Sequence, residues 1–257
     1  MKLITIFGLI AGVIALLLLL RWTGYVSFCS PTSTPPSTIM RVGTSADYPP
    51  FTFKKDGVIV GFEIDIVKKL AEKIGKKLEI VDLSWEMLLP ELKMNNIQAI
   101  AACLSKTERR AREVHFLSPH LIDHFVIVTK PSRTDIASVQ DLVGKEVVVN
   151  DGYTADAYIS AIPGINIRRL PTIAEAILAL NNDIVTAFVT AYIPMKLVMD
   201  KSPTQYRITP IPDTREELCI AVSYDEPALY TQLEQAMQEL QASGALTELA
   251  HTWGLVA

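Results

Sequence analysis

The sequence lacks the motifs that mark the commonest catalytic and cofactor sites. No G-x-G-x-x-G turn, Walker loop, G-x-S-x-G elbow or H-E-x-x-H pair occurs in it, which removes the usual routes to dinucleotide binding, phosphate cradling, serine hydrolysis and zinc hydrolysis. It also lacks a basic excess. The 24 Lys and Arg are outnumbered by 28 Asp and Glu, so nucleic acid is not an expected partner. With three cysteines the chain carries no disulfide framework. Nor is it poor in apolar residues: 49% of its 257 residues are hydrophobic, which argues against long disorder and leaves room for one large or two small cored domains.

What is present begins at the N-terminus. Residues 3–20 are uncharged and mostly apolar, between Lys2 and Arg21. That is long for a signal-peptide core and near the lower limit for a membrane span. Val26-Ser27-Phe28-Cys29-Ser30 is similar to a bacterial lipoprotein site, with Phe28 where a small residue is expected. Lipidation at Cys29, an uncleaved anchor and ordinary cleavage all remain open, and all three place the rest of the chain outside the cytoplasm. Residues 1–29 are thus read as a targeting or anchoring segment, and 30–38, SPTSTPPST, as a semi-stiff spacer. Cys103 and Cys219 are read as either a disulfide pair or two buried thiols.

From residue 39 short β-branched runs alternate with amphipathic stretches. Strands are expected at 40–43, 78–81, 99–102, 125–129, 146–149, 165–170, 185–189 and 219–222. Helices are expected at 62–74, 86–94, 107–113, 155–161, 173–180 and 227–242. The alternation predicts an α/β architecture with mostly parallel sheets. Ser105-Lys106-Thr107-Glu108 and Thr172-Ile173-Ala174-Glu175 fit capping boxes. Polar, proline-bearing breaks at 130–135 and 206–217 divide the body into a first lobe, 39–129 plus 217–257, and a second, 130–216. Two crossing strands between lobes imply a hinge and a cleft.

His120, Asp123 and His124 bring metal-ligand types together, but they precede a strand whose alternate residues point oppositely, so polar residues at a strand entrance are the stronger reading. The helix starts at Ser105 and Thr154 are more informative, because a helix N-terminus offers free N–H groups to an anion. Arg110 adds a guanidinium suited to a carboxylate.

Gly61-Phe62-Glu63-Ile64-Asp65-Ile66, followed by Leu70, Ala71 and Ile74, resembles the signature of the family 3 bacterial extracellular solute-binding proteins, the polar amino-acid ABC importer components. Val42-Gly43-Thr44 with Tyr48-Pro49-Pro50-Phe51, Leu104 to Arg110, Asp141 to Lys145, and Gly244-Ala245-Leu246 through Trp253-Gly254 agree with it. The resemblance covers about residues 39–257. It implies a two-lobed periplasmic binding protein type II fold with a two-strand hinge and a closing C-terminal helix. It further implies a monomer without cofactor or metal that captures a polar amino acid and delivers it to ABC permease subunits.

Carried onto this sequence, the resemblance implies that Arg110 pairs with the ligand α-carboxylate. Ser105 donates to it from N–H and hydroxyl, and Thr154 does so from across the cleft. Trp85 and Tyr48 become aromatic walls, and the Cys103 carbonyl accepts from the α-ammonium. Ser45 and Asn150 fall where side-chain selectivity is set, and neutral Ser45 does not favour arginine or lysine. One departure stands out. The family usually places an Asp at the end of the strand that here reads Val189-Thr190-Ala191, and Thr190 is no acid. Asp47 and Asp183 are the substitutes the sequence offers. Two other classes stay in view, a cleft enzyme of the cyclohexadienyl dehydratase type and a ligand-sensing domain. The missing acid and the lack of a matching cleft histidine weigh against the first. The second is disfavoured by the absence of an attached kinase or channel segment.

Overall fold

In the computed structural model residues 38–255 are described. The apolar leader, Cys29 and the spacer up to residue 37 lie outside them. Among the described residues no helix is long and apolar enough to cross a membrane.

The chain opens with β1 (Ile39–Thr44) and a small antiparallel sheet of β2 (Asp47–Tyr48), β3 (Thr52–Lys55) and β4 (Val58–Val60). Gly61 then turns it into α1 (Phe62–Lys73) with φ 143°, and a Cβ there would lie 2.0 Å from the Phe51 carbonyl oxygen. Only glycine tolerates both that dihedral and that approach, which is the physical content of the signature's first residue. Along α1, Phe62, Ile66 and Leu70 are buried at helical spacing. Next come β5 (Lys77–Asp82), α2 (Trp85–Lys93), β6 (Ala99–Ile100) and β7 (His115–Phe116).

The first crossing between lobes is β8 (Leu121–Asp123), followed by β9 (Phe125–Thr129) and β10 (Glu146–Asn150). After them run α3 (Thr154–Ser160), β11 (Asn166–Leu170), α4 (Ile173–Asn181), β12 (Ala187–Ala191), α5 (Tyr192–Lys201) and β13 (Arg207–Pro210). The return crossing is β14 (Glu216–Leu218), then β15 (Ala221–Val222), α6 (Pro227–Ala242) and α7 (Ala245–Thr252).

These strands make two five-stranded sheets, β5-β1-β6-β15-β7 and β11-β10-β12-β9-β13. In each, the first three strands are parallel and the last are joined antiparallel. Between the sheets β8 and β14 pair antiparallel with Glu216 opposite Asp123, the two-strand hinge of a type II binding-protein fold. Both sheets are sandwiched. In β9 every residue is buried, and Phe125 and Ile127 join one apolar cluster while Val126 and Val128 join the other. A strand covered on both faces needs apolar residues at every position, which is why it reads as an unbroken run.

Two expectations are corrected. Residues 107–113 form no α-helix, only a short 3-10 turn at Arg110–Arg112. Ser105 is bridged antiparallel to Leu218, and the Lys106 N–H donates to the Glu217 carbonyl at 2.8 Å. The backbone enters this stretch as an extension of the hinge, so no helix starts at Ser105. Thr107 instead caps the turn through its hydroxyl, which accepts from the Arg110 N–H at 3.2 Å. Second, 125–129, expected at the end of the first lobe, forms its hydrogen bonds with β12 and β13 in the second sheet. The crossing comes earlier, at β8. The Thr172 capping box is present as read, with Glu175 donating its N–H to the Thr172 hydroxyl at 3.2 Å. Helix α5 was not anticipated. Its Pro194 lies in the first turn, where a missing N–H costs nothing. Cys103 and Cys219 are free thiols.

Candidate functional site

Eight of the nine ligand-site residues expected from the sequence line one cleft: Tyr48, Trp85, Cys103, Ser105, Arg110, Asn150, Thr154 and Thr190. Ser45 does not. It is buried beneath a neighbouring surface depression with Asp47 and Asp82, and its carbonyl accepts from the Thr52 hydroxyl at 2.8 Å. Chain topology explains the convergence. Trp85 opens α2, Cys103 and Ser105 follow β6, Asn150 ends β10, Thr154 opens α3 and Thr190 lies near the end of β12. Ends of parallel strands face a common crevice in such sheets.

Arg110 dominates the electrostatics. It is 3% exposed, and burial lowers its pKa to about 10, so it is a cation at neutral pH. One terminal nitrogen donates to the Ser105 carbonyl at 3.0 Å and the other to the Gly152 carbonyl, on the opposite lobe, at 3.3 Å. Its Nε–H is buried without a hydrogen-bond partner among the described residues. The guanidinium carbon lies 5.4 Å from the Trp85 ring centre, a cation–π arrangement. Gly152 reaches this position at φ 71°, and a Cβ there would touch Trp85 Nε1 at 3.5 Å.

The lobes meet across the cleft. Ser105 Oγ and Thr154 Oγ1 are 3.4 Å apart. Tyr153, which precedes α3, inserts its ring between the two aromatic walls, with centroids 4.5 Å from Trp85 and 5.8 Å from Tyr48. Burial drives the Tyr48 and Tyr153 hydroxyls well above the ordinary phenol pKa.

The cleft floor is supported from behind. Cys103 adopts φ 54°, and its N–H donates to Glu63 Oε2 at 2.7 Å. Glu63 Oε1 lies 2.8 Å from His120 Nε2, with both side chains fully buried. Signature residue Glu63 thus ties the Cys103 peptide to the approach of the hinge. Asp123 accepts backbone N–H groups of His124 at 2.7 Å and Ile193 at 3.1 Å, and no three-residue metal cluster occurs among the described residues.

Two polar lining residues went unnoticed in the sequence. Tyr153 is adjacent to Thr154, and its ring is turned inward only because α3 starts there. Glu216 lies on β14, is 7% exposed, and accepts a hydrogen bond from the Thr154 hydroxyl. Burial raises its pKa, while the Thr154 and Ser105 hydroxyls pull it back down. Its place in a polar run, Thr214-Arg215-Glu216-Glu217, carries no local signal of burial. By contrast, the sequence-offered acids sit elsewhere. Asp183 pairs with Lys130 at 2.6 Å and is largely exposed. Asp47 borders the depression outside the cleft.

This chain belongs to the bacterial extracellular solute-binding proteins, family 3, whose sequence pattern matches residues 40–256. It is 30% identical over 221 residues to a probable ABC transporter arginine-binding protein of Chlamydia trachomatis, covering 83% of this chain and 85% of that one. A solved structure of a mutant arginine-binding protein from T. maritima superposes with a TM-score of 0.79 at 31% identity, covering 85% of this chain and 96% of that one. An ancestral amino acid-binding protein, a precursor of cyclohexadienyl dehydratase, gives 0.77 at 27% identity, covering 84% and 95%.

Proposed function

We propose that this protein is the extracytoplasmic capture component of an ABC importer and binds a polar amino acid between its lobes. The observation that carries the reading is Arg110, a nearly fully buried guanidinium with an unpartnered Nε–H at the cleft. An amino acid is a zwitterion, and burying it costs several kcal/mol unless both charges find partners. Arg110 and the backbone N–H groups of Ser105 and Thr154 would supply donors for the carboxylate from two lobes, because the Thr154 hydroxyl already donates to Glu216. Each charge-assisted hydrogen bond is worth roughly 1.5–3 kcal/mol. Because Thr154 belongs to the second sheet and Ser105 to the first, the grip is complete only when the lobes are together. Binding energy would then favour closure about β8 and β14, with lobe boundaries at those strands. The closed form would be what the permease receives, and the N-terminal segment would hold the body at the membrane surface, through Cys29 or through the apolar stretch.

Titration calorimetry against the common L-amino acids and cystine tests the reading. At least one should bind with micromolar or tighter affinity. No heat of binding from any of them up to millimolar concentration sinks it.

A further inference from the structure

We infer that Glu216 is the acid that receives the ligand α-ammonium in this chain, in place of the acid missing at Thr190. This rests on the amino-acid reading above.

Glu216 leaves the hinge strand and lines the cleft beside Thr190, Cys103 and Arg110. Although 7% exposed, it takes part in no ion pair among the described residues. The Arg110 guanidinium favours the Glu216 anion through its charge but directs its terminal nitrogens to the carbonyls of Ser105 and Gly152. Glu216 is served by the hydroxyls of Thr154 and Ser105. Two hydroxyls offset only part of the desolvation of a carboxylate. Such a group is an anion waiting for a cation, and the cleft it lines is where a ligand would bring one.

The competing acids do not share this condition. Asp123 faces Glu216 across the hinge pair and is equally buried, yet both its oxygens accept backbone N–H groups. Glu63 accepts the Cys103 N–H through one oxygen, holds the other 2.8 Å from His120 Nε2, and lies behind the cleft rather than among its lining residues. Distance along the ligand decides which cation Glu216 would meet. It already accepts from the Thr154 hydroxyl, and so lies beside the N–H groups of Thr154 and Ser105 proposed to hold the α-carboxylate. The α-ammonium is the one ligand cation bonded to the carbon beside that carboxylate. A side-chain guanidinium or amine lies several bonds farther away.

The test compares amino acids with the acids that lack only the α-amine: L-arginine with 5-guanidinopentanoic acid, L-glutamine with glutaramic acid, and L-histidine with imidazolepropionic acid. The wild type should prefer the amino acid of the pair it binds by roughly 10- to 150-fold, the range of one charge-assisted hydrogen bond. Glu216→Gln, which keeps shape and can still accept from Thr154, should erase that preference and leave the des-amino acid bound as before. Adding Thr190→Asp to Glu216→Gln should restore the preference. Two outcomes would overturn the assignment while leaving amino-acid binding intact: an unchanged preference in Glu216→Gln, or an equal loss for both members of the pair. Failure of the wild type to bind any of the six probes or the wider panel removes the amino-acid reading and this inference together.

Discussion

Replacing Arg110 by methionine separates what this side chain does for ligand from what it does for the fold. A guanidinium has five N–H donors. Two terminal N–H groups go to the carbonyls of Ser105 and Gly152, and the Nε–H has no partner among the described residues. A carboxylate entering the cleft would take the Nε–H and one further terminal N–H. Losing two charge-assisted hydrogen bonds of about 1.5–3 kcal/mol each amounts to about 3–6 kcal/mol, or roughly 10²- to 10⁴-fold in affinity. The fold has less at stake. Methionine keeps an apolar side chain of similar length and removes a buried cation whose desolvation costs several kcal/mol and is only partly compensated. Two hydrogen bonds from a charged donor, about 1.5–3 kcal/mol each, are lost, and the relieved desolvation offsets most of that loss. The ligand-free melting temperature of Arg110→Met should therefore stay within about 4 °C of wild type, since about 1 kcal/mol corresponds to roughly 2–4 °C in a body of this size. Calorimetry with the wild-type ligand and a thermal melt with and without it read both quantities. Affinity within threefold of wild type refutes the carboxylate role. A large fall in the ligand-free melting temperature shows that Arg110 is chiefly a tie between the lobes.

The other predictions concern the two polar cleft residues that the sequence concealed. Tyr153 fills the slot between Tyr48 and Trp85, so Tyr153→Ala should shift the ratio of affinities for L-arginine and L-alanine toward the longer ligand by about tenfold or more; an unchanged ratio means the ring does not limit side-chain length. Glu216 has a folded pKa raised above its ordinary value of 4.5, chiefly by burial. The folded protein therefore holds that proton more tightly than the unfolded chain does. The resulting stability is fully present below pH 4.5 and is lost as pH rises through the folded value. Ligand-free Glu216→Gln should gain stability relative to wild type across that window and keep the gain at neutral pH. Melting curves of both proteins from pH 4 to 7 check this, and a difference independent of pH contradicts the burial argument.

Legibility of the site followed the range of the interactions that build it. Trp85, Ser105, Arg110 and Thr154 stand in local patterns beside strand ends, and the structure brings them to one cleft. Ser45 has the same kind of local setting, but a turn of the chain before β2 buries it outside. The stretch around Ser105 reads as a capped helix because the pattern S-x-x-E is local, whereas the hinge strand that captures its backbone comes from more than a hundred residues away.

By itself the sequence determined the α/β alternation and the apolar strand runs, because periodicity acts over a few residues, while the place of Arg110 at the cleft was implied by the resemblance of its segment to the family. Only the tertiary structure decided which lobe owns 125–129, which aromatic occupies the cleft, and that Glu216 is buried there with no ion pair among the described residues. Those outcomes depend on desolvation and pairing between segments distant in sequence, and a charge in a polar run acquires its cost only when folding takes water away from it.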